Sequence, residues 1–331
     1  VDFNLNEIQQ DLKKLAAEVL AREGGEERLW QAGLMGVCVP EEAGGAGLGP
    51  VELAVVLREV GARAAMVPAL PTLAATLILA RHGTPEQQRR VAGRLTLALR
   101  EPGRDLADPP TTTARPPSPA AQAAQEAWRV SGRKVSVPYP GPETLVTADE
   151  GLFLVASPVM TAEFTSTGEP AATVVLDDTP AERVAGPEAV ADARQVFTAA
   201  VAAQASGVLA GALELTTAHI RQRRQFGRAL AEFQAVTMQI ADVYIAGRAL
   251  DVAMWSGAWR LGEGLPAEQD LALAAYHAGE ALKALHTCQH LHGGLGLDVT
   301  YPLHRYFAQA KHLSHLLGGA DAQLDLIGAR L

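Results

Sequence analysis

Residues 223–234 read RRQFGRALAEFQ, and the interpretation of this stretch decides the fold. It breaks a long helical pattern with a Phe226-Gly227 pair and then lets the pattern resume. Downstream, FQAVTMQIADVYIAGRAL (233–250) sets Phe233, Val236, Ile240, Val243, Gly247 and Leu250 on one stripe, the signature of a helix with a single buried face. From about residue 193 onward, four long helical segments are joined by QFGRALAE (225–232), GEGLPAEQD (262–270) and GGLGLDVTYP (293–302). Connections this short predict an antiparallel bundle.

Upstream of residue 193 the character changes. Nine of the chain's twenty prolines lie between Pro102 and Pro142, and PPTTTARPPSPAAQAAQ (109–125) predicts no regular structure. Around it, WRVSGRKVSV, TLVTA, GLFLVAS and ATVVLDD are short runs with strand character, which predict a small antiparallel sheet. Residues 1 to about 95 return to helical spacing, interrupted by the loop VPEEAGGAGLGPVEL (39–53). Pro50 and Glu52 suit the first turn of the following helix, and Thr84 with Pro85 predicts the start of another over TPEQQRRVAGRL. The predicted order is a helical domain over 1–98, a β domain over 99–192 and a four-helix bundle over 193–331, so mainly α with a central β unit.

Composition excludes several function classes. Among 331 residues, 37 acidic side chains outnumber 28 basic ones, a net charge of −9 that disfavours a nucleic-acid partner. With Cys38 and Cys288 as the whole cysteine content, neither a disulfide framework nor a four-cysteine zinc site is available. The opening VDFNLNEIQQDLKKL lacks a signal peptide's basic-then-apolar pattern, and no apolar run suggests a membrane span, so a cytoplasmic location with no membrane partner is expected.

These motifs, in this order, resemble the flavin-dependent acyl-CoA dehydrogenase family. RRQFGRALAEFQ resembles the family's Arg-x-x-Phe-Gly turn with a glutamine on the next helix. HLHGGLGLDVTYPLHRYFAQAK (290–311) resembles its Gly-Gly-x-Gly segment and Tyr-Pro helix start. AGLMGVCVPEEAGGAGL (32–48) and, more weakly, LREPGRDL (99–106) complete a likeness that covers the whole chain. The resemblance implies an FAD cofactor and assigns its contacts to Arg223, Gln225, Phe226, Gln234, His290, Gly293, Gly294 and Gly296. The chemistry of these side chains agrees. An arginine offers pyrophosphate two parallel charge-assisted bonds worth ~1.5–3 kcal/mol, and glycines let backbone amides approach a phosphate. Read without the resemblance, Gly293–Gly296 serves a tight helix connection. Six of the nine histidines fall between His286 and His315; His286 and His290 have i, i+4 spacing, but no evident third ligand favours a metal there.

The family's catalytic base is missing. In most members a glutamate, which takes the substrate's α-proton, precedes a Gly-Thr about fifteen residues after the Tyr-Pro; here that position is Leu317, followed by Gly318-Gly319. The alternative location on the first bundle helix, around Phe197, holds no carboxylate, and Glu214 lies well away from it. The Gly-Ser-Asp and Trp-Ile-Thr that cradle the flavin ring are replaced by EPGRDLADPP and GRKVSVPYPG. Gly318-Gly319 also reads as a helix cap, with Asp321 opening the next helix.

The pattern resembles the catalytically silent subunit of the α2β2 acyl-CoA dehydrogenases of bacterial steroid side-chain catabolism. It implies a paralogous partner carrying the glutamate, an acyl-CoA substrate with a shortened steroid side chain, and an electron-transfer flavoprotein or similar acceptor. The alternatives are a homo-oligomer whose base is Glu214 or a histidine, and a flavin-free scaffold or regulatory subunit.

Overall fold

A computed structural model describes residues 3–22, 25–90, 95–117 and 127–330. In chain order the elements are helices α1 (Glu7–Leu20), α2 (Gly25–Gln31), α3 (Pro50–Ala62), α4 (Ala69–His82) and α5 (Pro85–Arg89). Then come strands β1 (Leu95–Ala98), β2 (Thr113–Arg115), β3 (Trp128–Pro138), β4 (Glu143–Ala148), β5 (Gly151–Ala156), β6 (Val159–Phe164) and β7 (Pro170–Ala185). The remainder is α6 (Glu188–Gln222), the hairpin β8 (Arg224–Gln225) and β9 (Arg228–Ala229), α7 (Gln234–Gly262), α8 (Glu268–His292), α9 (Leu303–Leu316) and α10 (Gly319–Gly328). Two compact units result. One combines Val1–Ala32, Ala54–Val67 and Thr198–Leu331; the other combines Gly33–Leu53 and Pro68–Phe197.

In the first unit, α6 is the axis. Its 35 residues carry a stretch long and apolar enough to cross a membrane, which corrects the sequence reading that no such run exists. The run, rich in alanine, is 83% buried inside the protein, so its apolar surface forms core. Where α3 crosses α6 the backbones nearly touch. A Cβ added at Gly207 would sit 1.9 Å from the Arg58 carbonyl oxygen, and one at Gly61 would sit 2.0 Å from that of Gln204. Beside this crossing the buried Asp251 of α7 accepts two bonds from Arg58, at 3.2 and 3.3 Å, and one from the Ser206 hydroxyl, tying three helices together. The predicted stripe on α7 is the inward one: Val243 and Leu250 are fully buried, and Phe233, Val236, Ile240 and Gly247 are half-buried. The fourth bundle segment is broken into α9 and α10 at Leu317–Gly318, and α10 begins at Gly319, so Asp321 lies within its first turn instead of capping it.

In the second unit a seven-stranded sheet runs β1-β4-β5-β7-β3-β2, with β6 also paired to β7. The expected antiparallel sheet is therefore mixed: β1 runs parallel to β4, Leu95 opposite Glu143 through Ala98 opposite Val146. Strand β1 lies in the region read as helical; it is buried along its whole length, so no alternation marks it. Thr113–Arg115 also forms a strand within the segment expected to be irregular, while residues 118–126 of that segment lie outside the described residues. The helix after Thr84 is present with a capping box to Gln87, and residues 91–94 of its predicted span lie outside the described residues. Val130, Val146, Phe153, Val155 and Val174 centre the core, with Trp128 set 5.4 Å from Phe153. Both cysteines are buried and free.

Candidate functional site

The break at 223–234 is a two-residue hairpin. Arg224 pairs with Ala229 and Gln225 with Arg228, and the Leu230 amide donates to the Arg223 carbonyl at 2.9 Å. Its central residues, Phe226 and Gly227, have φ of +52° and +81°, the reversal whose twist suits paired strands. Glycine takes this conformation freely, whereas phenylalanine does so at a cost of ~1–2 kcal/mol. The strained residue holds its ring 90% exposed, edge-on to Phe233 with the ring centres 6.3 Å apart. Arg228 covers the other ring, its guanidinium 4.0 Å from the Phe233 centroid. Arg221, Arg223, Arg224 and Arg228 are all exposed, a basic knuckle on an acidic chain. Glu232, a natural partner for Arg223, instead accepts the Ala229 amide at 3.0 Å. Among the described residues no side-chain hydrogen bond or ion pair engages Arg223. Gln225 is exposed on β8, and Gln234 is exposed as the first residue of α7.

The glycine segment separates into three different requirements. Gly293 ends α8 with φ of +61°, so the backbone demands it. A Cβ on Gly296 would lie 2.7 Å from the Gln289 carbonyl oxygen, so packing demands it. Gly294 has neither reason: its φ is ordinary, and a Cβ there would meet nothing within 4 Å. The open space is a cradle that any side chain would fill and that a backbone-contacting ligand needs empty. Leu297 and Val299, just beyond, are more than 70% exposed. His290 is exposed on the last turn of α8, while His286 packs edge-on against Phe307 at 4.8 Å. Among the described residues no three His, Cys, Asp or Glu side chains converge on a metal site.

A pair of residues missed in the sequence joins these two motifs at their roots. His219, one turn before Arg223, stacks on His292, which directly precedes Gly293; the rings are 4.3 Å apart at 21°. His292 Nδ1 lies 2.8 Å from the Cys288 carbonyl oxygen, which can only accept, so the proton is on Nδ1. Its Nε2 then accepts from the Tyr301 hydroxyl at 3.2 Å. Burial lowers the pKa of both imidazoles, and for His219 the charges of His292 and Arg223 lower it further. The only available signal was i, i+4 spacing from His219 to Arg223, since the pairing itself is non-local.

The position expected for the base differs in kind. Leu317 is 2% exposed, and its carbonyl accepts from Gln323 Nε2 at 2.6 Å. Gly318 and Gly319 both have φ of +81°, so the backbone reversal accounts for both glycines. Phe197 is buried, and Glu214 is exposed on α6 within electrostatic reach of Tyr306. A cavity of about 200 Å³ in this unit, lined by Phe3, Val55, Arg58 and Trp255 among others, includes none of the motif residues.

In the sheet unit, the segments expected at the ring cradle have structural roles. Val135 and Ser136 fall in a register shift of β3 against β7, with Ser136 at φ +52°. Arg104 pairs with Asp108 at 3.3 Å. Glu101 is buried, and Thr111, Thr112 and Lys134 all donate to it, the ammonium at 2.6 Å. Burial by itself would raise this carboxyl, but the bonds from Lys134, Thr111 and Thr112 outweigh it and hold the pKa at about 2. Burial pulls Lys134 the other way, to about 8, against the attraction of Glu101.

The N-terminal domain of acyl-CoA dehydrogenases matches residues 3–97, and the C-terminal domain matches residues 188–331. The chain is 38% identical to acyl-CoA dehydrogenase FadE28 of Mycobacterium tuberculosis, over all of this chain and 99% of that protein. Among solved structures, a variant of the Tcur3481-Tcur3483 steroid ACAD superposes with a TM-score of 0.89 at 38% identity, covering 98% of this chain and 97% of that one. The ChsE4-ChsE5 complex from Mycobacterium tuberculosis gives 0.87 at 31% identity, covering 99% and 98%. Fold, motif order and these matches lead to one conclusion: the chain belongs to the acyl-CoA dehydrogenase family.

Proposed function

We propose that this chain is the catalytically silent subunit of a heteromeric, FAD-dependent acyl-CoA dehydrogenase acting on a steroid-derived acyl-CoA with a shortened side chain. The observation that carries the reading is Leu317, a buried leucine with its carbonyl capped, at the position where the family's proton acceptor stands. A leucine accepts no proton, and Glu214, exposed on α6, gives a homo-oligomeric enzyme no evident substitute. A paralogous partner then supplies the glutamate, in an α2β2 assembly in the cytoplasm that passes electrons to an electron-transfer flavoprotein or similar acceptor. The heteromeric ChsE4-ChsE5 relative supports the need for a second subunit.

Bound in the partner's cleft, FAD supplies the hydride acceptor. The residues here fit its nucleotide end. Arg223, with no side-chain partner among the described residues, gives a pyrophosphate two parallel N–H donors. Gly294 leaves backbone N–H groups unobstructed, with Gly293 and Gly296 holding the turn in shape. Phe226 offers an apolar face, and Gln225, Gln234 and His290 offer polar atoms around it. None of these groups moves a proton; their work is to bind and to exclude water.

The test is to purify the chain alone and with its paralogue, measuring flavin absorbance and α,β-dehydrogenation. The chain by itself should be colourless and inactive, and the pair yellow and active. Stoichiometric FAD with turnover in the lone chain would overturn the proposal; a flavin-free pair would favour the scaffold reading.

A further inference from the structure

We propose that His219 and His292 are a positioning pair, which sets the spacing between the Arg223 hairpin and the Gly293–Gly296 turn and does so only while both rings are neutral. The inference rests on the reading that those two motifs hold the flavin nucleotide. Each ring is attached to one motif. The Arg223 amide donates to the His219 carbonyl at 2.8 Å, so the hairpin starts from the turn that carries this imidazole. Gly293 is bonded directly to His292. The stack at 4.3 Å is thus a contact between the roots of both halves of the site. One turn deeper, Thr216 and Cys288 make a second link between α6 and α8. The outer link, nearest the ligand, is the titratable one.

The orientation of the pair is fixed from one side. His292 is clamped between the Cys288 carbonyl and the Tyr301 hydroxyl, and the Tyr301 carbonyl in turn meets His304 Nδ1 at 2.7 Å. His219 has no such clamp among the described residues; the stack alone orients it. The charged and titratable groups facing the pair are Arg223 just past α6, Cys288 from α8, Tyr301 from the following turn and His304 from α9. Cys288 is a buried thiol raised to about 11 and Tyr301 is raised by burial, so both stay neutral. No carboxylate is among the groups that act on either ring. A proton on His219 faces His292 and Arg223 without an anion to offset it. A proton on His292 Nε2 removes the acceptor that the Tyr301 hydroxyl uses. Either event splits the stack and lets the two motifs drift apart. Both imidazoles titrate below the ordinary value of 6.5, so the neutral state holds at pH 7 and is lost on acidification.

The experiment is an FAD titration of the apo form of the two-subunit complex, followed by flavin fluorescence at pH 7.5 and pH 5, with assembly checked at both. Wild-type affinity should fall on acidification, by up to about tenfold per pH unit for each ring that titrates. His292→Phe keeps a ring for the stack and removes one of the two titrations, leaving that of His219. It should weaken FAD less than loss of the stack does at pH 7.5, and its pH dependence should be about half as steep as that of wild type, with His219 titrating alone. His219→Ala, which deletes one side of the stack, should weaken FAD about tenfold at pH 7.5 without loss of assembly. Wild-type affinity independent of pH, a full pH slope in His292→Phe, or unchanged binding in His219→Ala would overturn the proposal. Arg223→Ala serves as the control for the underlying reading. If it alone weakens FAD, the pair is not a positioning device; if it too has no effect, the nucleotide assignment itself is wrong.

Discussion

The hairpin at 223–234 and the end of α9 at Leu317 treat their side chains in opposite ways. At Leu317 every feature has an internal reason: the side chain is buried, the carbonyl is capped by Gln323, and both glycines are required by positive φ. At the hairpin the internal reasons run out. Phe226 takes a strained φ to display an exposed ring, Arg223 has no side-chain partner among the described residues, and Gly294 has neither steric nor conformational cause. A group that its own chain satisfies says little about function. A group its own chain leaves unsatisfied, at some cost in stability, points outward. The buried Glu101–Lys134 pair belongs with Leu317 in this contrast, since both charged groups find their partners within the fold.

The largest effect should come from breaking that buried pair. Lys134→Ala strands a buried carboxylate among threonines and should cost ~3–5 kcal/mol in a denaturant titration, with little change in FAD affinity. The same pair gives the pH dependence. With Glu101 held at about 2 against an ordinary 4.5, its stabilisation is complete above pH 4.5 and drains away as pH falls toward 2. An acid transition unmoved by Glu101→Gln would remove this carboxylate from the account.

Leu317→Glu puts a new acid into a packed site and should cost ~2–3 kcal/mol with its pKa raised. Activity per complex should not rise. A gain approaching twofold would mean that the vacated position still borders a working cleft.

On the other side of the contrast, Arg223→Ala should leave the melting temperature unchanged and weaken FAD by about tenfold to a hundredfold, the equivalent of ~1.5–3 kcal/mol. Turnover should return when FAD is added in excess. Flavin affinity equal to wild type would place Arg223 outside the site. Smallest is Phe226→Asn, which relieves the left-handed strain; the chain should gain about 0.5–1 kcal/mol while the complex binds FAD less well. A loss of stability instead would show that the ring serves this chain's own fold.

How much of this was legible in the sequence follows the same division. Local rules served well: Pro50 and Glu52 in a first turn, the Thr84 cap, the stripe from Phe233 to Leu250, and a break at Phe226-Gly227 all have local chemical causes. Burial without local cause was invisible. Strand β1 has no alternation to betray it, and a lysine in a strand reads as solvated, so Lys134 gave no sign of its Glu101 partner. The apolar run of α6 was diluted by alanine and glycine and passed unnoticed. The motifs of the candidate site stood out because they are contiguous. The His219–His292 stack did not, because it joins residues 73 positions apart by subtraction of their numbers.

The crossing at Gly61 and Gly207 also bears on how the protein is made. The helical unit draws α1 and most of α3 from the first 67 residues, yet its axis resumes only at Thr198, after the whole sheet unit has been encoded. At synthesis rates of ~5–20 residues per second, those early helices wait roughly 7–26 s on the ribosome for the groove that accepts them. During that interval Arg58 and Gly61 lack the close approach of Gln204 and Gly207 on α6. Nascent chains paused between codons 70 and 200 are therefore the ones that should bind a holdase chaperone, and release should coincide with emergence of the α6 glycines.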